Sequence, residues 1–207
     1  MKIRVYRILR NTRVEGPGIR FCLWVQGCPI QCDGCFAKET WSFDSGQLFS
    51  VDEIFSMIKE CDEIEGVTFL GGEPFVQAEA LYELGRKIKA AGLTILSFTG
   101  YTYEYILNTN KKEWNDLLSI IDLLIDGPFE KNKFDISRPW VGSSNQNYRF
   151  LSPKYEHLKN NLGSIKNKVE VRVNENGSVF INGMGDFEDI KRNLRIWGAE
   201  EYNEFRK

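Results

Sequence analysis

Three cysteines, Cys28, Cys32 and Cys35, fall in one short stretch with the spacing Cys-x3-Cys-x2-Cys, directly after the apolar run 19–25. That run reads as a buried strand, so the chain must carry three thiols on a loop at a strand's end. A structural zinc site closes with four ligands, and a disulfide takes a pair. Three converging sulfurs suit a cubane iron–sulfur cluster that leaves one iron without a protein ligand, open to a small molecule. Gly27 and Gly34 permit tight turning, and Pro29 stiffens the loop. Zinc would need a fourth ligand from His157, Cys22, Cys61 or a carboxylate, and none stands at zinc-motif spacing. Cys22, inside the strand, and Cys61, at a helix end, read as buried apolar thiols. His157, the only histidine, lies in a polar segment and takes no role.

A chain of 207 residues is expected to form one domain with room for an accessory element. The net charge of −2 gives no ground for nucleic-acid binding. No stretch approaches the roughly 20 apolar residues that cross a bilayer, and Met1–Arg7 lacks the apolar core of a signal peptide. The expectation is a cytoplasmic protein with no membrane partner, in a compartment where clustered cysteines bind metal more often than each other. Charge is uneven. Lys2, Arg4, Arg7, Arg10, Arg13 and Arg20 make the start basic, and 52–83 is mostly acidic. This fits either a solvated surface with two poles or a docking face for a large partner; Arg20 is read as a surface charge.

Val51, Ile54, Phe55 and Ile58 predict an amphipathic helix over 52–61. Short apolar strands are expected at 66–70, 93–98 and 122–126. A helix marked by Leu81, Leu84 and Ile88 closes at Gly92, and a further helical stretch runs to about Ile120. Strand and helix alternate, which predicts a parallel sheet with helices on its outer face. Sites in such folds gather at the carboxyl ends of the strands. The cysteine loop, Gly71-Gly72-Glu73-Pro74 and Thr99-Gly100-Tyr101 each follow a strand, so they are expected to share one rim. Two glycines let backbone approach a ligand closely, and Glu73 could pair with an ammonium. Alone, Gly-Gly-Glu-Pro could equally be a strand-to-helix turn opened by Pro74. Residues 128–152 turn polar and read as an ordered loop or cover. Strands at 169–173 and 178–182 flank Asn174-Glu175-Asn176-Gly177, a hairpin signal. Phe187, Ile190, Leu194 and Trp197 predict a last helix, its charges ordered to suit the helix dipole.

Taken together, the cysteine loop and Gly71-Gly72-Glu73-Pro74 resemble the radical S-adenosylmethionine (SAM) superfamily. Five further segments sharpen the resemblance: Gly16-Pro17-Gly18-Ile19-Arg20, 35–41, Phe98-Thr99-Gly100-Tyr101, 124–129 and 140–146. In order and spacing they are similar to the activating proteins of anaerobic ribonucleotide reductases. Gly34, just before the third cysteine, also fits that subgroup. The resemblance spans about residues 10 to 147. It implies an incomplete parallel (β/α) barrel, with residues 1–147 as core and 148–207 as a C-terminal extension of hairpin and helix packed on it. It implies a [4Fe-4S] cluster on Cys28, Cys32 and Cys35, and SAM held by Gly71, Gly72, Glu73 and Pro74. Ser97, Thr99 and Asp126 are further candidate SAM contacts, each open to a plainer reading as a turn or cap residue. Trp41 and Phe36 are expected beside the cluster, limiting water.

The implied activity is reductive cleavage of SAM to make a glycyl radical on the large subunit of an anaerobic ribonucleotide reductase, with electrons from a donor such as flavodoxin or ferredoxin. The radical is cofactor-derived, so no catalytic side chain is named. An incomplete barrel agrees with the chain's length, since a full eightfold barrel takes about 250 residues. One alternative keeps the cofactors and changes the substrate to a small molecule or peptide. Another is a zinc-stabilised binding module.

Overall fold

All six residues of the strand Arg20–Val25 are buried, as a central parallel strand covered on both faces requires. Around it, a computed structural model describes residues 1–173, 179–185 and 192. In chain order the strands are β1 (Lys2–Thr12), β2 (Arg20–Val25), β3 (Gln47–Ser50), β4 (Gly66–Gly71), β5 (Thr94–Thr99), β6 (Leu123–Asp126) and β7 (Asn147–Phe150). The helices are α1 (Val51–Lys59), α2 (Ala78–Ala90), α3 (Tyr103–Asn108) and α4 (Lys112–Ile120). One sheet runs β3-β1-β2-β4-β5-β6-β7 and does not close on itself. Its centre, β2-β4-β5-β6, is parallel as expected. Both flanks are antiparallel: β1 against β2 and β3, and β7 against β6. The fold is thus an open, incomplete α/β barrel with antiparallel pairing at both flanks.

Side chains alternate across the sheet. On one face Phe21, Leu23, Val25, Val67, Phe69, Ile95 and Leu124 pack with Ile54, Ile58, Leu81, Leu84, Ile88 and Leu117 from α1, α2 and α4. A Cβ on Gly85 would lie 2.3 Å from the Ile120 side chain, so glycine is what lets α2 come so close to the end of α4. Ser50 caps α1 through a reciprocal pair of bonds with Glu53. On the other face Leu9, Cys22, Trp24 and Leu70 form a small cluster. Leu96, Leu123 and Ile125 on that face are covered by Trp140, Val141 and Tyr155.

Three strands, β1, the edge strand β3 and β7, escape the pattern of the sequence. β1 is long, but its register with β2 shifts between Val5 and Arg7 and again between Leu9 and Thr12. The first shift re-aims Arg7 onto the face of Trp24, with which it is paired. β7 arises inside the polar stretch read as a cover. Arg20, expected at the surface, is instead fully buried. Its guanidinium donates to the carbonyls of Pro17, Val67 and Thr94 and to the hydroxyls of Thr68, Thr94 and Tyr155. Six neutral acceptors stand in for water around that charge.

The hairpin strands are β8 (Val169–Val173) and β9 (Val179–Gly183), an antiparallel pair separate from the main sheet. The expected turn at 174–177 and the last helix around Phe187, Ile190, Leu194 and Trp197 lie outside the described residues, apart from Arg192, which is helical. Among the described residues, no helix is long and apolar enough to cross a membrane.

Candidate iron–sulfur site

The cysteine loop leaves β2 and is tied down along its length. Gly27 and Cys28 donate from their backbone N–H groups to the carbonyls of Thr40 and Trp41, at 2.7 and 3.0 Å. The Gln26 amide donates to the carbonyls of Glu39 and Ser42. Between these ties the chain turns through left-handed backbone at Gln31 and Gly34. Cys35 N–H closes a turn on the Cys32 carbonyl at 3.1 Å.

The three strand-end segments do share one rim. Glu73 N–H donates to the Gly27 carbonyl at 2.9 Å, and Gly72 N–H to Val25 at 2.8 Å. A Cβ on Gly72 would sit 2.5 Å from the Gly27 oxygen, so only glycine admits the two backbones at this separation. Ile30, in the middle of the cysteine loop, lies over Gly100, where a Cβ would meet it at 2.6 Å. Two glutamines brace the rim from outside the motifs. Gln77 bonds both the N–H and the carbonyl of Arg4 and also the Gln26 carbonyl, joining β1 to β2. Nothing in the sequence pattern singles out such amide bridges, because they exist only once the strands are paired.

Each of the three thiols receives backbone hydrogen bonds. The Cys28 sulfur is buried and faces the backbone of Gln31 and Ile30; burial raises its pKa, and these bonds pull it back. Burial also raises that of Cys32, opposed by a bond from the backbone of Phe129. Ala37 N–H donates to the Cys35 sulfur at 3.4 Å. Such N–H to sulfur bonds stabilise thiolates and tune iron–sulfur clusters. Among the described residues, no three His, Cys, Asp or Glu side chains are grouped to hold a single metal ion. A cubane does not need that, since each thiolate binds a separate iron. The donor set, three thiols on one rim with peptide N–H groups turned toward them, fits such a cluster. The Phe36 ring lies tilted against that of Phe129, centroids 5.8 Å apart, and is 52 % exposed.

Glu73 is 1 % exposed. Its carboxylate accepts from Phe75 N–H (3.0 Å), Thr99 Oγ1 (2.9 Å) and Gly100 N–H (2.9 Å). Burial pushes its pKa up to about 7, with those three donors opposing. The same contacts make Glu73 the cap of the turn Pro74–Gln77 and lock the ends of β4 and β5 together. Ser97 lies two residues before the end of β5, and Asp126 ends β6 level with Thr99. Ser97 is buried on the helix-covered side of β5, its hydroxyl bonded to the Phe98 carbonyl. Asp126 accepts from Tyr103 N–H and from Arg149, holding the turn into α3.

A rim of this kind, with three sulfurs and a glycine turn at the carboxyl ends of parallel strands, defines an iron–sulfur protein class. The family described as "4Fe-4S single cluster domain" matches residues 14–149. Curated relatives sharpen that. An anaerobic ribonucleoside-triphosphate reductase-activating protein of Enterobacteria phage T4 is 34% identical over 139 residues, covering 64% of this chain and 85% of that protein. Those of Vibrio cholerae and Escherichia coli K12 are each 34% identical over 141 residues, covering 64% of this chain and 88% and 89% of theirs. The chain belongs to this family of reductase-activating proteins. Among solved structures, that of QueE from Escherichia coli aligns over 49% of this chain and 54% of its own, with 19% identity and a TM-score of 0.42.

Proposed function

We propose that this chain is a radical SAM activase, which generates a glycyl radical on an anaerobic ribonucleoside-triphosphate reductase. The observation that carries the reading is the shared rim, on which three thiols with N–H donors meet the glycine turn of β4 and the end of β5. Cys28, Cys32 and Cys35 would hold a [4Fe-4S] cluster, and the Gly71–Pro74 turn with Thr99 would receive SAM. When bound, these groups supply one-electron cleavage of the sulfonium and a 5′-deoxyadenosyl radical able to take a hydrogen atom from a glycine α-carbon. The chain's own residues bind and orient. Gly71 and Gly72 bring backbone within reach of the methionine end. Glu73, fixed by Thr99 and Gly100, presents a carboxylate suited to an ammonium. Ser97 and Asp126 are the further candidate SAM contacts, Asp126 standing level with Thr99 at the strand ends. The partners of this reading are the reductase's large subunit and a one-electron donor such as flavodoxin or ferredoxin.

The test is anaerobic reconstitution with iron and sulfide, then incubation with SAM, a reductant and the reductase. A glycyl doublet in the electron paramagnetic resonance spectrum is expected. A colourless protein loaded with zinc would refute the reading. Cys32→Ala should abolish SAM cleavage and lower bound iron while the circular dichroism of the sheet persists. Glu73→Ala should weaken SAM binding by at least about tenfold, the loss of one charge-assisted contact, with iron content little changed. Loss of iron at unchanged SAM affinity would reassign Glu73 to the cluster loop.

A further inference from the structure

The rim can be reached from few directions. Helices α1, α2 and α4 cover one face of the sheet. On the other face, Trp140, Val141 and Tyr155 cover β5 and β6. The half built from β1, β2 and β4, with Leu9, Cys22, Trp24 and Leu70, is left. The β8–β9 hairpin sits there. The Arg7 guanidinium lies over the Trp24 ring, and the Phe180 ring of β9 lies on the same guanidinium. Trp24 is one residue short of β2's end, so Phe180 stands close to the rim. Two residues on, Asn182 donates to Thr12 Oγ1 and Glu15 Oε1, at the far end of β1.

The hairpin's attachments are of two kinds. Its base is pinned: the Asn167 side chain accepts from Trp140 N–H and donates to the carbonyls of Ile136 and Arg138. Past Asn167, among the described residues, the contacts are mostly polar, and no side chain of β8 or β9 belongs to the apolar clusters on the sheet. Glu15, 6 % exposed, accepts from Asn182 and from Gly183 N–H at 2.8 Å. Thr12 donates to Glu170, and Arg172 to Asn11. Neither strand joins the seven-stranded sheet, and Val173 is 70 % exposed. A two-stranded ribbon is marginal without packing beneath it, and elements held by few apolar contacts open locally at low cost.

We propose that the β8–β9 hairpin is a displaceable cover, and that the glycine-bearing segment of the reductase takes its place over Arg7 and Trp24. This rests on the activase reading for the identity of the occupant, but not for the mobility of the hairpin. The family model matches residues 14–149, ahead of the hairpin, so the cover is carried by the part of the chain outside that match.

Hydrogen exchange read by mass spectrometry on the full chain tests both halves. In the free protein, Phe180→Ala and Asn182→Ala should each speed exchange of the β8 and β9 amides about tenfold, the worth of one such contact, with β2 and β4 unchanged. Equal rates in variants and parent, or hairpin exchange only together with β2 and β4, would overturn the proposal. With the reductase added, the hairpin amides should lose protection while those of β2 hold or gain. Unchanged or greater hairpin protection in the complex would overturn the displacement. Failure of the reconstituted parent to cleave SAM at all would instead sink the activase reading, and the free-protein rates would still decide whether the hairpin opens.

Discussion

Glu73 illustrates how one carboxylate serves both rim and fold. Burial raises its pKa from 4.5 to about 7, so in the metal-free protein its ionisation opposes folding. The contribution is fully present below the unfolded value and is lost as pH rises through about 7. The gap corresponds to at most ~3 kcal/mol. Urea unfolding of the metal-free chain at pH 5 and pH 8 should therefore show the parent losing more stability than Glu73→Gln; parallel pH slopes would remove Glu73 as the source. Arg20 makes the opposite case, a buried charge bonded to neutral oxygens. Arg20→Lys offers one ammonium where a planar fork reached six acceptors, and should cost at least ~3 kcal/mol in a denaturant midpoint. Before folding, Arg20 reads as one more cation in a basic segment. Its burial follows from Val67, Thr94 and Tyr155, residues far along the chain, and no local pattern announces that. The cysteines differ because their spacing is local, and the backbone between them carries its own turn signals at Gly27 and Gly34.

At the scale of elements, the alternation of short apolar strands with amphipathic helices was legible because each central strand is buried on both faces. The flanking strands were not. β1 breaks its own alternation at two register shifts, and β3 and β7 are four-residue edge strands with half-exposed side chains. A half-wet edge has no reason to look apolar. The single helical stretch expected to end near Ile120 is divided into α3 and α4 by left-handed backbone at Asn110. The apolar spacing of Val51, Ile54, Phe55 and Ile58 marked α1, but its capping box of Ser50 and Glu53 was not singled out. Ser50→Ala should cost about 1 kcal/mol through loss of the cap, seen as a lower melting temperature with SAM binding intact; an unchanged melting temperature would show the capping box to be idle.

For the whole molecule, the boundary between core and extension is best proposed near residue 166 rather than at 147. β7 begins at Asn147 and pairs with β6, and Tyr155 is buried against Arg20. A chain stopped at 147 should fail to give a cooperative melt, whereas one stopped after Asn167 should keep it; two equal melts would restore the earlier boundary. The antiparallel flanks of the sheet bear on what the architecture can become. A strand–helix repeat lengthens a sheet by laying each new strand alongside one of the same direction. Here the two margins run in opposite directions: β3 runs with the central strands and β7 against them, so further repeats cannot seal the gap with parallel pairs on both sides. The aperture is written into the topology, and access through it can be adjusted only by what is hung across it.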